Sequence, residues 1–141
     1  MKRSIAVLLF LASACRPIAS GPQTGATSPE GAVDAFISAA KAQDLHALGG
    51  IWGSAKGPAR ATMPRAELEQ RELILIRLLC QDESRVTSST PGTEGRRILK
   101  LDMTRAGRTV PVTFTTIRGP EDRWYVEDVE VVKLQELCTS R

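Results

Sequence analysis

Three cysteines and a single histidine are the residues of this chain with the widest choice of covalent and metal chemistry. A thiolate at Cys80 with His46 as its base would be a nucleophile. Cys80 follows the apolar run Leu73 to Leu79, however, and burial there would raise the pKa of the thiol, which disfavours this interpretation. One histidine and two widely spaced cysteines, Cys80 and Cys138, form no recognisable zinc pattern either.

The N-terminus has the organisation of an export signal. Lys2 and Arg3 precede an apolar run, and small residues then lead to Cys15. The stretch Leu11 to Cys15 resembles a bacterial lipobox, with Ala12 where Leu, Val or Ile is usual, and this implies lipidation of Cys15. Ala12 to Ala14 also satisfies an ordinary A-x-A cleavage site, which stays open as the alternative. Both interpretations predict a signal peptide over residues 1–14 and an exported protein.

Residues 15–28 contain Pro, Gly, Ser and Thr and almost nothing that packs, which predicts a flexible tether. If Cys15 carries a lipid, the membrane is the first partner of the protein. The domain then belongs to the cell envelope and faces the periplasm or the cell surface.

Lipidation of Cys15 would leave Cys80 and Cys138 as an even pair in an oxidising compartment. We therefore predict a disulfide between them, which joins the end of a helix to the C-terminal tail. The two positions are 58 residues apart in the sequence, which corresponds to a loop-closure stabilisation of roughly 4 kcal/mol.

Composition limits the classes of partner. The formal charge is +3, but removing Lys2 and Arg3 with the signal peptide leaves 17 basic against 16 acidic residues. This near-neutral balance, together with few aromatic residues, argues against nucleic acid. Arg96, Arg97, Arg105 and Arg108 fall on one predicted hairpin. They form either a basic edge for an anionic partner or, as such residues more often do, a charged protection of the sheet edge.

The secondary structure is predicted to be helical first and β-stranded afterwards. Ser28 and Asp44 are suited to capping helices over about 29–43 and from 45 onward, and residues 53–62 are predicted to be a loop. A third helix, about 64–81, is expected to be buried on most sides near its C-terminal end. Strands follow from about residue 84, and runs between Arg96 and Val132 alternate apolar and polar residues, which indicates a β-meander with one buried face.

This order of elements resembles the NTF2-like superfamily. SPEGAVDAFISAAKAQDLHAL is similar to the opening of small exported bacterial proteins of the DUF4878 type, and RWYVEDVEV is similar to their closing strand. The resemblance implies a single α+β domain over residues 29–141, in which N-terminal helices pack on a curved four-stranded antiparallel sheet to form a cone. It implies no particular activity, because this superfamily includes enzymes, carriers and interaction modules.

Some enzymes of this superfamily use an Asp or His base with a Tyr or Trp inside the cone. The resemblance therefore points to five candidates: His46, Trp52, Asp102, Tyr125 and Asp128. Alternation places Asp102 outside and Asp128 on the inward face, whereas His46 is better explained as an exposed helix residue. The pocket is accordingly expected around Trp52, Tyr125 and Asp128. A β-bulge near Asp128 would instead place Val129 and Val131 on the core face, and we prefer this option.

Three functions are compatible with these observations. The preferred one is a non-catalytic envelope module that binds an envelope protein or a small apolar ligand. The alternatives are a cone-pocket isomerase or dehydratase and a module that forms homodimers through the sheet face bearing Thr113, Thr115 and Ile117. No catalytic residue, cofactor or metal is predicted, since the chain has no phosphate-binding loop, nucleophile elbow or HExxH motif.

Overall fold

A computed structural model describes residues 23–139 of the chain. The predicted signal peptide, Cys15 and the first part of the predicted tether lie outside the described residues. The helices within the described range are Pro29–Ala42 (α1), Leu45–Ile51 (α2), Ala59–Thr62 (α3), Arg65–Leu78 (α4) and Val131–Thr139 (α5). The strands are Gly53–Ser54 (β1), Gly57–Pro58 (β2), Glu83–Pro91 (β3), Arg96–Arg105 (β4), Arg108–Arg118 (β5) and Trp124–Val129 (β6).

The last four strands form one antiparallel sheet in the order β3-β4-β5-β6. Each strand pairs with its neighbour in sequence, which is the meander that the alternating pattern predicts. Its inward face packs on α1 and α5, and at the centre the rings of Phe36 and Phe114 meet edge to face with centroids 6.3 Å apart. The protein is therefore an α+β protein with helices on an antiparallel sheet, as predicted.

The two helix starts follow the predicted capping chemistry. The Ser28 hydroxyl oxygen accepts a hydrogen bond from the Gly31 N–H at 3.0 Å, and the Asp44 carboxylate accepts one from the Ala47 N–H at 2.9 Å. Each cap satisfies a backbone donor that the first helical turn leaves without an intrahelical partner, a contribution of about 1 kcal/mol.

A disulfide joins Cys80, just after α4, to Cys138 in α5, with the two Cα atoms 6.0 Å apart. The predicted pairing is thus confirmed. The C-terminal segment forms α5, which extends over nine residues and buries Leu134 and Leu137 in the core.

Two expectations about the helical half are wrong. The segment 53–62 is not a plain loop, since β1 and β2 form a small hairpin and α3 follows directly. The end of α4 is not buried on most sides: Leu73 is 52% exposed and Ile74 is 58% exposed. Leu68 and Glu72 are the buried residues of this helix, and Leu75, Ile76 and Leu78 pack against the core while partly buried. Leu73 and Ile74 lie on the face of α4 that the described residues leave uncovered.

The tether predicted over residues 15–28 ends earlier than expected. Ala26 and Trp124 exchange two backbone hydrogen bonds, of 2.8 and 2.9 Å, across the free edge of β6. The Arg123 guanidinium also donates to the carbonyl oxygens of Thr24 and Gly25. Residues 24–26 therefore belong to the folded domain, because they pair with backbone groups that the edge strand β6 would otherwise leave unpaired. The amino-acid composition of the segment does not indicate this pairing.

Candidate functional site

A cavity of about 210 Å³ lies between α1, α4, β6 and the start of α5. Most of its lining is apolar, and three polar residues complete it. The apolar members are Phe36, Trp52, Ile74, Leu75, Val129 and Val131. The polar members are Arg71, Glu127 and Asp128. We call this the apolar cavity.

Trp52 is held in the apolar cavity by its backbone. Its N–H donates to the Leu48 carbonyl at 2.8 Å, its own carbonyl accepts from the Ala59 N–H at 2.7 Å, and it forms a parallel bridge with Val126 of β6. The residue that ends α2 therefore also extends the edge of the sheet. This double role fixes the backbone of Trp52 at the junction of the two layers.

A β-bulge in β6 sets the opposite wall of the cavity. Thr115 and Thr116 are consecutive in β5, but their partners in β6 are Asp128 and Val126, so Glu127 is the extra residue. Beyond the bulge Val129 is buried and Asp128 is exposed. The predicted bulge and the inward position of Val129 are confirmed. Val131 is not on the core face as expected: it begins α5 and remains 37% exposed.

The charged groups at the cavity differ in how far they are already paired. Arg71 donates to Glu67 at 2.6 Å. The Glu127 carboxylate accepts two hydrogen bonds from Arg96, of 2.6 and 3.0 Å. The pKa of Arg96 is raised above its usual range, mainly by this carboxylate and to a lesser extent by that of Glu94. Among the described residues, the Asp128 side chain has no hydrogen bond or ion pair. Asp128 is thus the carboxylate at this cavity that is free to meet a ligand.

Apolar side chains reach the surface where the cavity opens. Ile74 and Val131 both line it, and they are 58% and 37% exposed. Their sequence neighbours Leu73 and Val132 are exposed to 52% and 71%. Exposed apolar groups of this kind, beside a concave apolar wall, are typical of a ligand or protein contact site. Sequence reasoning missed Leu73 and Ile74 because a run of mostly apolar residues is normally assigned to the interior.

Tyr125 lies away from the apolar cavity, although the sequence grouped it with Trp52 and Asp128. It is 2% exposed and its ring fills a slot walled by three glycines. A Cβ atom at Gly25, Gly53 or Gly119 would lie 2.8 to 3.0 Å from ring atoms. The phenol oxygen lies 3.1 Å from the Thr24 hydroxyl. The structure therefore unites Trp52 and Asp128 and gives Tyr125 a packing role elsewhere.

The other two candidates are also separate from the apolar cavity. Asp102 is paired with Arg85 at 3.3 Å on the outer face of the sheet, where alternation placed it. His46 is exposed on α2, and its Nε2 lies 2.7 Å from Arg60 Nη1. Because a guanidinium only donates, this imidazole nitrogen accepts the hydrogen bond. His46, Tyr125 and Asp128 thus occupy three different places and do not converge on one point.

The two other surfaces considered from sequence are altered by the fold. Ile117 is 2% exposed, so it is unavailable to the proposed dimer face of Thr113 and Thr115. The arginines of the β4-β5 hairpin do not form one cluster. Arg105 and Arg108, at the turn, donate to carbonyl oxygens of Cys138 and Glu136 near the end of α5, whereas Arg96 and Arg97 lie at the far end of β4.

Within residues 23–139, no helix has the length and apolar character needed to cross a membrane. The same residues contain no group of three or more His, Cys, Asp or Glu side chains that could hold a metal ion. The chain matches no protein-family model, and no curated protein matches its sequence. Its class is therefore defined by its own architecture, an α+β protein with an apolar cavity between the helices and the sheet.

Proposed function

We propose that this protein is a non-catalytic binding module of the cell envelope, built as an NTF2-like cone, whose apolar cavity holds a small apolar ligand. The observation that carries the proposal is the lining of the cavity by six apolar side chains, two of which remain exposed at its opening. Filling it would remove these side chains from water, which stabilises a complex by about 0.8 kcal/mol for each methylene buried.

The chemistry of the rim suggests which end of a ligand stays outside. Arg71 and Asp128 stand beside the exposed Ile74 and Val131, and Asp128 has no partner among the described residues. A ligand with an apolar body and a polar head would place the body against Phe36 and Val129 and leave the head at the charged rim. Such a ligand is an amphiphile of the acyl-chain type.

The proposed anchor places this cavity close to a lipid surface. Gln23 is the first described residue, and the Thr24 hydroxyl is already hydrogen-bonded to that of Tyr125 in β6. From Cys15 to Gln23 the chain reaches at most about 28 Å even when fully extended. A lipid on Cys15 would therefore keep the domain within that distance of the membrane, where apolar ligands are concentrated.

Quenching of Trp52 fluorescence tests the ligand proposal. The full chain is titrated with stearate dibrominated at mid-chain, because bromine quenches an indole that it touches. We expect saturable quenching of the native chain and loss of most of that response in Trp52→Phe. Trp124, outside the cavity, serves as the internal control. Equal quenching in both proteins, or none in either, would remove the apolar-ligand proposal.

Intact mass tests the anchor independently. Protein from the membrane fraction of a bacterial host is measured with and without reduction and alkylation. A chain that starts at Cys15 and carries diacylglycerol and acyl groups supports the envelope assignment. A chain cleaved at the same place without added lipid, recovered in the soluble fraction, would contradict the anchor and leave the cavity proposal standing.

A further inference from the structure

A second cavity, of about 470 Å³, lies among α2, α3 and α4, apart from the apolar cavity. It combines two leucines with five residues that ionise or carry charge. The lining consists of Leu45, His46, Arg60, Arg65, Leu68, Glu69 and Glu72. We call this the polar cavity. Its two leucines form an apolar wall, so it suits a ligand with both polar and apolar parts.

Glu72 is the unusual member of this group. The residue is 1% exposed, and its Oε1 atom accepts no hydrogen bond from any residue that the structure describes. A buried carboxyl oxygen without a donor is costly, because desolvation is not offset by a new hydrogen bond. Burial, and then the nearby Glu69 carboxylate, raise the pKa of Glu72 to about 7. The Glu72 carboxyl therefore lacks the hydrogen-bond donor that would offset its burial.

The neighbouring helix is shaped to accommodate these polar groups. Gly49 and Gly50 lie inside α2, where glycine is less favourable than alanine by about 1 kcal/mol each. A Cβ at Gly49 would lie 2.8 Å from Glu72 Oε1, and a Cβ at Gly50 would lie 3.2 Å from Arg60 Nη1. Two consecutive glycines thus leave room for one carboxyl and one guanidinium side by side.

The remaining charges of the polar cavity are already partly paired. Arg65 donates to Glu69 at 2.8 Å at the surface. Arg60 uses Nη1 on the ring nitrogen and the carbonyl oxygen of His46, at 2.7 and 3.2 Å. Its other guanidinium donors make no hydrogen bond to the described residues. The Glu72 carboxyl inside the cavity and the Arg60 guanidinium next to it are therefore not bonded to each other.

We propose that the polar cavity binds a small zwitterionic ligand of the free amino acid type, with its ammonium group on the Glu72 carboxyl and its carboxylate on Arg60. The ammonium supplies the missing donor and the arginine supplies charge-assisted donors to the carboxylate. The side chain of the ligand lies along Leu45 and Leu68. A simple cation fits less well, since Arg60 and Arg65 both border the cavity.

Three related compounds test the ligand class. The full chain, nitrogen-labelled, is titrated with L-leucine, N-acetyl-L-leucine and L-leucinamide, and the amide signals of Gly49 and Gly50 are followed by NMR. We expect L-leucine to shift these signals saturably. The acetylated compound lacks the ammonium and the amide lacks the carboxylate, so each should bind weaker by about tenfold or more. Equal binding of all three, or no shift with any of them, overturns the proposal.

A matched pair of variants tests the residue. Glu72→Gln keeps the size of the side chain and removes its ability to become a carboxylate, so affinity for L-leucine should fall by about tenfold or more. Glu67→Gln changes a carboxylate of the same helix that lies outside the polar cavity, and it should bind within about twofold of the native chain. The spectrum of each variant shows whether it is folded. Unchanged affinity in a folded Glu72→Gln protein would overturn the assignment.

Discussion

The hydroxyl groups of Tyr125 and Thr24, 101 residues apart in the chain, lie 3.1 Å from each other. This contact fastens the start of the described chain to β6, beside the backbone bridge between Ala26 and Trp124. Tyr125 is the only tyrosine of the chain, and this contact holds its side chain away from the apolar cavity.

Tyr125→Phe should destabilise the protein by about 1 kcal/mol, the usual net value of one hydrogen bond, because the ring still fills its glycine slot. Thr24→Val removes the same bond from the other side. In urea unfolding, the double variant should therefore cost less than the sum of the two single variants. Strict additivity would show that the two hydroxyl groups do not interact in solution.

Loss of the disulfide should cost roughly 4 kcal/mol, because the unfolded chain regains the freedom of a 58-residue loop. Urea unfolding of Cys80→Ser/Cys138→Ser against the oxidised native chain measures this difference. Reduced native protein is the control, since it retains both side chains without the bond. A cost below about 1 kcal/mol in both would mean that the α4-to-α5 link contributes little to stability.

Glu72 should make the protein less stable as the pH rises. Its pKa is raised from 4.5 in the reference state to about 7 in the folded protein, so the folded state binds more protons between these values. The contribution of Glu72 to the unfolding free energy is therefore fully present below about pH 4.5, and up to about 3 kcal/mol of it is lost as the pH rises through 7. The difference in unfolding free energy between Glu72→Gln and the native chain isolates this effect. It should favour the variant at pH 8, and a difference independent of pH would contradict the raised pKa.

The outer face of α4 should tolerate substitution while affecting binding. Ile74→Ser changes a side chain that is 58% exposed, so its unfolding free energy should stay within about 0.5 kcal/mol of the native value. Binding of an acyl chain should nevertheless weaken. Leu68→Ala is the contrasting variant on the same helix, since Leu68 is 6% exposed and its truncation should cost about 2–5 kcal/mol. Comparable costs for both variants would mean that α4 is covered in solution.

Local signals in the sequence predicted much of the fold. Ser28 and Asp44 cap helices through contacts three residues away, and the alternating strands carry their own pattern of burial. The disulfide followed from the count of cysteines. In each case the determining interaction is short-range or depends on composition.

The site was less predictable because its members are brought together by long-range packing. Trp52 and Asp128 line one cavity only because the end of α2 joins the edge of β6 and a bulge turns the strand. The sequence did not distinguish Glu72 from the other acidic residues of α4, because its burial depends on Gly49 in another helix. The exposure of Ile74 likewise depends on what α4 packs against, which periodicity alone does not define.

The most direct test of the central proposal is an isotope-filtered NOE spectrum of the full chain with bound octanoate. This probe needs no bromine and no substitution, and it reports which protein methyl groups lie against the acyl chain. We predict contacts from the methylene protons to the methyl groups of Ile74, Val129 and Val131. Contacts confined to Leu73 and Val132, or no contacts at all, would show that the apolar cavity does not hold an apolar ligand.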